Sequence, residues 1–253
     1  MPFPASIVNR MLWAQHHFEV MKRHSLRYVR GNCAEFVIQR NSASGEQAWG
    51  RFRGKNPLPQ YIPLMVGDCI QSAHSCLDYL ACKLVSSGEE SSKSKNAFPI
   101  VDSPAQFNEA IGKHILKGVP FAAVAVVESL QPYNRTGDPH KSGLWILKTL
   151  ANMHKHRDIL LSVLGAAYAS DDAEVFERNG DLFTFSAPDT LDLDAEFGPF
   201  PVFEGKVKMD RKILLDIVFE QEPFRGQRMQ TLVTQACLAV REDVLPKFEK
   251  FFS

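Results

Sequence analysis

Apolar residues recur at helical spacing through much of the chain and alternate through the rest, and this division predicts the elements. Over residues 6–30, Ile7, Met11, Leu12, Phe18, Met21 and Leu26 fall at roughly helical intervals, which predicts a first helix. EFVIQRN and QAWGRFRG then flank SASGE, the pattern of a hairpin with a short glycine-containing turn. Pro57, Pro59 and Pro63 break the chain before the next element. The clearest helix lies in residues 64–85, where Val66, Ile70, Ala73, Leu77, Leu80, Ala81 and Leu84 form one wide apolar stripe. SSGEESSKSKN is too polar to bury and predicts an exposed loop, followed by a short extended piece at NAFPI. Helical spacing returns over 104–117, with Pro104 as an early helical residue, and over 120–130. It returns once more, after the loop QPYNRTGDPHKSG, in LWILKTLANMHKHRDIL from residue 144.

Beyond Arg157 the pattern changes. ILLSVLGAAYAS is a continuous apolar run with the character of a buried strand. AEVFERNGDLFTFSA sets Asn-Gly between two alternating segments, a strong hairpin signal. VFEGKVKM and KILLDIVFEQE predict further strands. GQRMQTLVTQACLAVREDV is helical again, through Met229, Val233, Ala236, Val240 and Val244, with Pro246 near its end. The expected architecture is α+β in a single domain over residues 1–253. Residues 1–56 give a helix and an N-terminal hairpin, and 57–158 the helical core; four to five helices are expected in that core. Residues 159–253 give a C-terminal antiparallel sheet closed by a long C-terminal helix.

Composition narrows the setting. The chain has 253 residues, 45% hydrophobic and 23% charged, which is enough apolar material for a core and excludes wholesale disorder. MPFPASIVNRMLW has no basic region followed by an apolar run, so no secretory leader is expected. VPFAAVAVVESL and ILLSVLGAAYAS are too short to span a bilayer, so a membrane is not an expected partner. The five cysteines (Cys33, Cys69, Cys76, Cys82 and Cys237) form no C-x-x-C pair and leave one over, which fits a reducing cytoplasm. Cys69 and Cys76, seven apart, read as small core residues on one helix face.

Formal charge is balanced but unevenly placed. Arg10, Lys22, Arg23, Arg27, Arg30, Arg40, Arg51, Arg53 and Lys55 outnumber Glu19, Glu35 and Glu46 in the first sixty residues, whereas residues 171–222 are acidic. Only the N-terminal part offers the basic footprint that a nucleic acid requires.

Specific chemistry is sparse. There is no H-E-x-x-H, EF-hand, G-x-S-x-G or phosphate-loop pattern, and neither a cofactor nor a metal is expected. His154 and His156 lie about 200° apart around a helix and cannot share a metal there. What remains is two polar helix faces. Gln71, His74, Ser75, Asp78 and Cys82 run beside the stripe of the 64–85 helix. Lys148, Asn152 and His156 stack on the later helix, with Trp145 beside them. If the two helices pack, Ser75 and Asp78 meet Asn152, Lys155, His156 or Arg157. A catalytic version makes His156 an acid/base set by Asp78, with Asn152 beside it and Lys155 or Arg157 holding an anion. A structural version needs less. Lys155, His156 and Arg157 favour a helix C-terminus by roughly 0.3–1 kcal/mol, and Asp78 ties the two helices together.

The order GDCIQSAHSCLDYL, FPI, ESLQPY, LWILKTLANMHKHRDIL, LPKFEKFF resembles a family of uncharacterised bacterial proteins. Its marks are a G-D helix with Ser-x-x-Leu-Asp and a helix ending in N-x-x-K-H-R, and the likeness runs from about Pro57 onward. The family implies an architecture and a polar cluster, without an activity. A looser likeness is to HEPN-type helical domains, many of them metal-independent ribonucleases of toxin and defence systems. Those carry R-x4–6-H on one helix, with the site formed across a dimer. Arg10 with His16 or His17 has that spacing on a helix, whereas Arg135 with His140 lies in a Pro/Gly loop. Two functions follow: a non-catalytic interaction module whose Asp78/His156 cluster is structural, or a HEPN-like ribonuclease or RNA binder. The sequence fixes no partner; a homodimer and RNA are the partners compatible with it.

Overall fold

The computed structural model describes residues 3–31, 34–40, 47–85, 96–168, 176–178, 181–183, 191–192, 196–201 and 212–252. It is an α+β protein in which helices predominate. Two compact units divide the chain, and neither is continuous in sequence. One gathers Met1–Arg23, Gln60–Ile159 and Met229–Ser253, and the other His24–Pro59 and Leu160–Arg228.

The first unit is helical. It takes α1 (Ala5–Arg30) as far as Arg23, with α2 (Tyr61–Lys83), α3 (Pro104–Gly112), α4 (Phe121–Ser129), α5 (Gly143–His156), α6 (Met229–Leu238) and α7 (Leu245–Phe248). Every residue of the stripe expected on α2, from Val66 to Leu84, is buried. Helix α1 runs antiparallel beside it. The Cys69 thiol reaches the Ala14 carbonyl at 3.3 Å and the Cys76 thiol donates to the Ile7 carbonyl at 3.6 Å, equal steps in opposite directions. Both cysteines are fully buried.

Two glycines let helices approach closely. A Cβ on Gly67 would stand 2.2 Å from the His154 ring, so α5 crosses α2 where α2 has no side chain. A Cβ on Gly143 would meet the Gln235 carbonyl at 2.5 Å, which brings the start of α5 against α6. The C-terminal helix expected over the sheet thus belongs with α2 and α5. It is also not uniform. Ala239–Val244 widens into a π-helical turn, with the Leu245 amide bonded to the Val240 carbonyl. Pro246 follows at once; its ring lacks an N–H and crowds the carbonyl four residues back, which favours the wider turn.

Two helices end earlier than their apolar spacing predicts. The first stops at Gly112, and two residues on His114 takes a left-handed conformation (φ 59°). Helix α5 ends at His156 because Arg157 is extended (φ −152°, ψ 157°).

The second unit holds the strands. β1 (Ala34–Arg40) pairs antiparallel with β2 (Gln47–Gly54) in the register Phe36↔Phe52. β3 (Leu161–Tyr168), β4 (Phe176–Arg178), β5 (Asp181–Phe183) and β6 (Leu191–Asp192) follow. β7 (Glu196–Pro201) pairs with the other edge of β2, and β8 (Lys212–Phe219) pairs with β3 in the register Val163↔Ile217. β6 takes the other edge of β3, and β4 pairs with β5. Asn179-Gly180, between β4 and β5, lies outside the described residues, as do SASGE and most of the polar run after Val85.

Candidate functional site

Asp78 sits on α2 one turn after His74, and its carboxylate is occupied. Oδ1 accepts the Phe98 amide at 3.1 Å, and Oδ2 lies 3.4 Å from His74 Nδ1. The contact with Phe98 matters because residues 97–101 belong to no helix or strand and need outside partners for their backbone groups. The Ala97 amide bonds the Ile115 carbonyl. Gln131, which is fully buried, supplies most of the rest. Its Oε1 accepts the Val101 amide at 2.9 Å, and its Nε2 donates to the Pro99 and Val127 carbonyls, each at 2.9 Å. Asp102 closes the segment by pairing with Lys148 of α5 at 2.9 Å. SxxLD, FPI and ESLQPY are therefore parts of one arrangement, in which an aspartate and a glutamine hold a strap of chain against three helices. Ser75 is half-buried beside it and lies 3.5 Å from the Gln71 amide nitrogen.

The other half of the expected cluster is elsewhere. The C-terminal end of α5 meets the start of α2, at Gly67. Asp78 lies about three turns, roughly 16 Å, farther along the axis. The inward line of α5 is Leu147, Leu150, Ala151 and His154, one residue round from the face on which Asn152 and His156 stand. Asn152, Lys155, His156 and Arg157 are exposed, and among the described residues their side chains make no hydrogen bond or ion pair. The expected meeting of Ser75 and Asp78 with these four residues does not form. Trp145, one helical turn from Lys148, is half-buried and stacks with His140 at 4.5 Å between ring centres.

A third cluster combines the Arg10–His16/His17 spacing with two rings that it gave no sign of. On α1, Trp13 is 53% exposed, lies parallel to His16 (5.4 Å) and meets His17 edge-on (4.9 Å). The Arg10 guanidinium lies 5.3 Å from the ring centre of Tyr79 on α2, itself partly exposed. A cation over an aromatic face is worth about 0.5–1 kcal/mol at an exposed position. Sequence spacing shows why Arg10, Trp13 and His17 share a strip, since i, i+3 and i+7 fall on one face.

Among the described residues no group of three His, Cys, Asp or Glu side chains is placed to hold a metal ion. No helix among them is long and apolar enough to cross a membrane. A shallow recess of about 580 Å³ between α4 and the C-terminal residues, lined by Val126, Ser129, Pro246, Lys247, Glu249 and Lys250, contains none of the expected site residues. Compared with known proteins, the chain matches no family model, no curated protein and no solved structure.

Proposed function

We propose that this chain is a cytoplasmic, non-catalytic binding module of the bacterial family whose motifs it resembles, and that its Asp78 cluster is structural. The observation that carries this reading is the occupation of Asp78. Its two oxygens face the Phe98 amide and His74, so it neither orients nor ionises His156. In nucleophile–base arrangements a third group orients the base, and His156 has no such partner among the described residues. The basic end of α5 is accounted for by the helix dipole.

The test is incubation of the intact chain with single-stranded RNA in EDTA, beside thermal unfolding of variants. RNA stays uncut, Asp78→Ala lowers the melting temperature, and His156→Ala leaves it in place. Cleavage by the wild type that folded His156→Ala or Asp78→Asn protein has lost ends this reading.

The strip on α1 favours a second reading, an RNA-binding and HEPN-like role working as a homodimer. Trp13 offers an exposed ring for base stacking, and Arg10, His16 and His17 surround it with cationic or protonatable groups. Stacking of one base on a ring is worth about 1–3 kcal/mol. On this reading Trp13→Ala weakens single-stranded RNA binding about tenfold without moving the melting temperature. Binding that Trp13→Ala leaves unchanged removes the reading. Cleavage in EDTA that is lost in His16→Ala or His17→Ala places the nuclease on α1.

A further inference from the structure

Two cysteines 168 positions apart meet inside the helical unit. Cys69 of α2 and Cys237 of α6 face each other with their sulfurs 3.5 Å apart. Cys69 is fully buried, while Cys237 keeps partial exposure at the surface of α6. We infer that Cys69 and Cys237 form an oxidant-sensitive dithiol, in which a peroxide is reduced at Cys237 and Cys69 resolves the product into a disulfide joining α2 to α6.

The geometry divides the roles. The attacking thiol must be reachable and ionisable, and the resolving thiol must be in contact with it and able to give up its proton as it attacks. Cys237 meets the first condition. A hydrogen bond from Cys69 and the charge of Arg241 hold its thiol below the ordinary cysteine value, against the opposing effect of burial. Cys69 meets the second through contact, its sulfur 3.5 Å from that of Cys237; the hydrogen bond to Cys237 and its own burial push its thiol far up, so its proton leaves only with the departing hydroxyl of the sulfenic acid. Its proton has two acceptors in reach, the Ala14 carbonyl at 3.3 Å and the Cys237 sulfur, so it can turn to the latter when Cys237 ionises. The other described cysteines fit neither role. Cys76 is buried with its thiol pushed up to about 12 and donates to Ile7, and exposed Cys82 has its thiol raised by burial and by Asp78.

The chemistry balances with a peroxide as the named oxidant. The Cys237 thiolate attacks one peroxide oxygen and the O–O bond breaks. This leaves a sulfenic acid on Cys237 and releases hydroxide or an alkoxide, which takes up a proton. The Cys69 thiol then attacks the Cys237 sulfur, the S–OH bond breaks, and water leaves with the Cys69 proton. Two thiols are oxidised, one peroxide is reduced, and any small thiol reverses the product by exchange. The sulfurs need to close from 3.5 Å to about 2.05 Å, a movement of side chains on helices already packed together.

The experiment is to treat the intact chain with hydrogen peroxide at neutral pH, quench with N-ethylmaleimide and map the peptides without reduction. The expected product joins Cys69 to Cys237, leaves Cys76 as a thiol and raises the melting temperature until dithiothreitol is added. Cys69→Ser protein, checked for folding by circular dichroism, stops at a Cys237 sulfenic acid that dimedone traps; Cys237→Ser protein leaves Cys69 as a thiol. The inference is overturned if peroxide takes Cys237 to a sulfinate without linking it to Cys69, if Cys237 joins another thiol, or if it stays reduced while Cys82 reacts. Wild-type mapping decides the matter even if a variant fails to fold.

Discussion

The two halves of the polar cluster expected from the sequence have opposite fates. Asp78 on α2 is bonded to the Phe98 amide and faces His74, whereas Asn152, Lys155, His156 and Arg157 at the end of α5 stand in solvent. Both segments combine a histidine with residues able to hydrogen-bond at helical spacing, and in sequence they look equally suited to chemistry. The difference is set by the nearest orphaned amide. Beside α2 runs a strap whose N–H and C=O groups have no helix or sheet to join, and Asp78 and Gln131 bond the Phe98 and Val101 amides and the Pro99 carbonyl. Beyond α5 the chain turns away at Arg157 and leaves no such demand. A polar residue on an amphipathic helix is therefore best weighed against the backbone groups it can satisfy before it is paired with another side chain.

The sharpest way to break this contrast is at Gln131. Gln131→Ala removes three hydrogen bonds at once from a fully buried position and takes from the Val101 amide and the Pro99 carbonyl the partner that Gln131 supplies, while the Val127 carbonyl keeps the Leu130 amide. The expected loss is about 3 kcal/mol of folding free energy, read by urea unfolding. A loss below about 1 kcal/mol shows that the strap does not depend on this side chain.

Next comes the crossing that separates the halves. Gly67→Ala forces a methyl against the His154 ring and costs about 2 kcal/mol, the usual scale of overpacking less the gain in helix propensity. His154→Ala in the same chain restores most of it. If the double variant is no more stable than Gly67→Ala alone, then α5 does not cross α2 at this point.

How far this was legible follows from the same residues. The stripe on α2 and the buried positions of α6 and the π-helical turn after it stand out in the sequence because each repeats along a continuous helical stretch, and all of Met229, Val233, Ala236, Val240 and Val244 are indeed buried. Helix α1 is less faithful. Leu12 and Leu26 are exposed at 57% and 39%, because its buried line passes through the small Ala14 and a count of large apolar residues overlooks it. The pairing of the two polar faces was not legible, since periodicity says which side of a helix is buried but not in which direction its neighbour runs. One residue of rotation and a crossing at Gly67 put His154, not His156, against α2. Cys69 and Cys237 leave no local pattern at all, and only tertiary packing brings them together.

A smaller effect is expected at Asp78. Asp78→Ala leaves the Phe98 amide without its acceptor and costs about 1 kcal/mol, while Asp78→Asn keeps an acceptor oxygen and stays within about 0.5 kcal/mol of the wild type. The pair separates a hydrogen-bonding role from a charge role. Equal losses in both variants indicate that the contact with His74 carries the stabilisation instead.

The smallest effect belongs to the end of α5. An exposed side chain with no partner contributes to stability only through the helix dipole, which falls off within the last turn and is screened by salt. His156→Ala, alone or with Asn152→Ala, should therefore shift unfolding by no more than about 0.5 kcal/mol. Lys155→Glu, which reverses a charge beside the free carbonyls, should cost slightly more at low salt and lose that excess in ~1 M salt, where screening is nearly complete. A large loss from His156→Ala, or one that salt leaves untouched, reveals a packed or bonded contact for that ring and removes the contrast between the two halves.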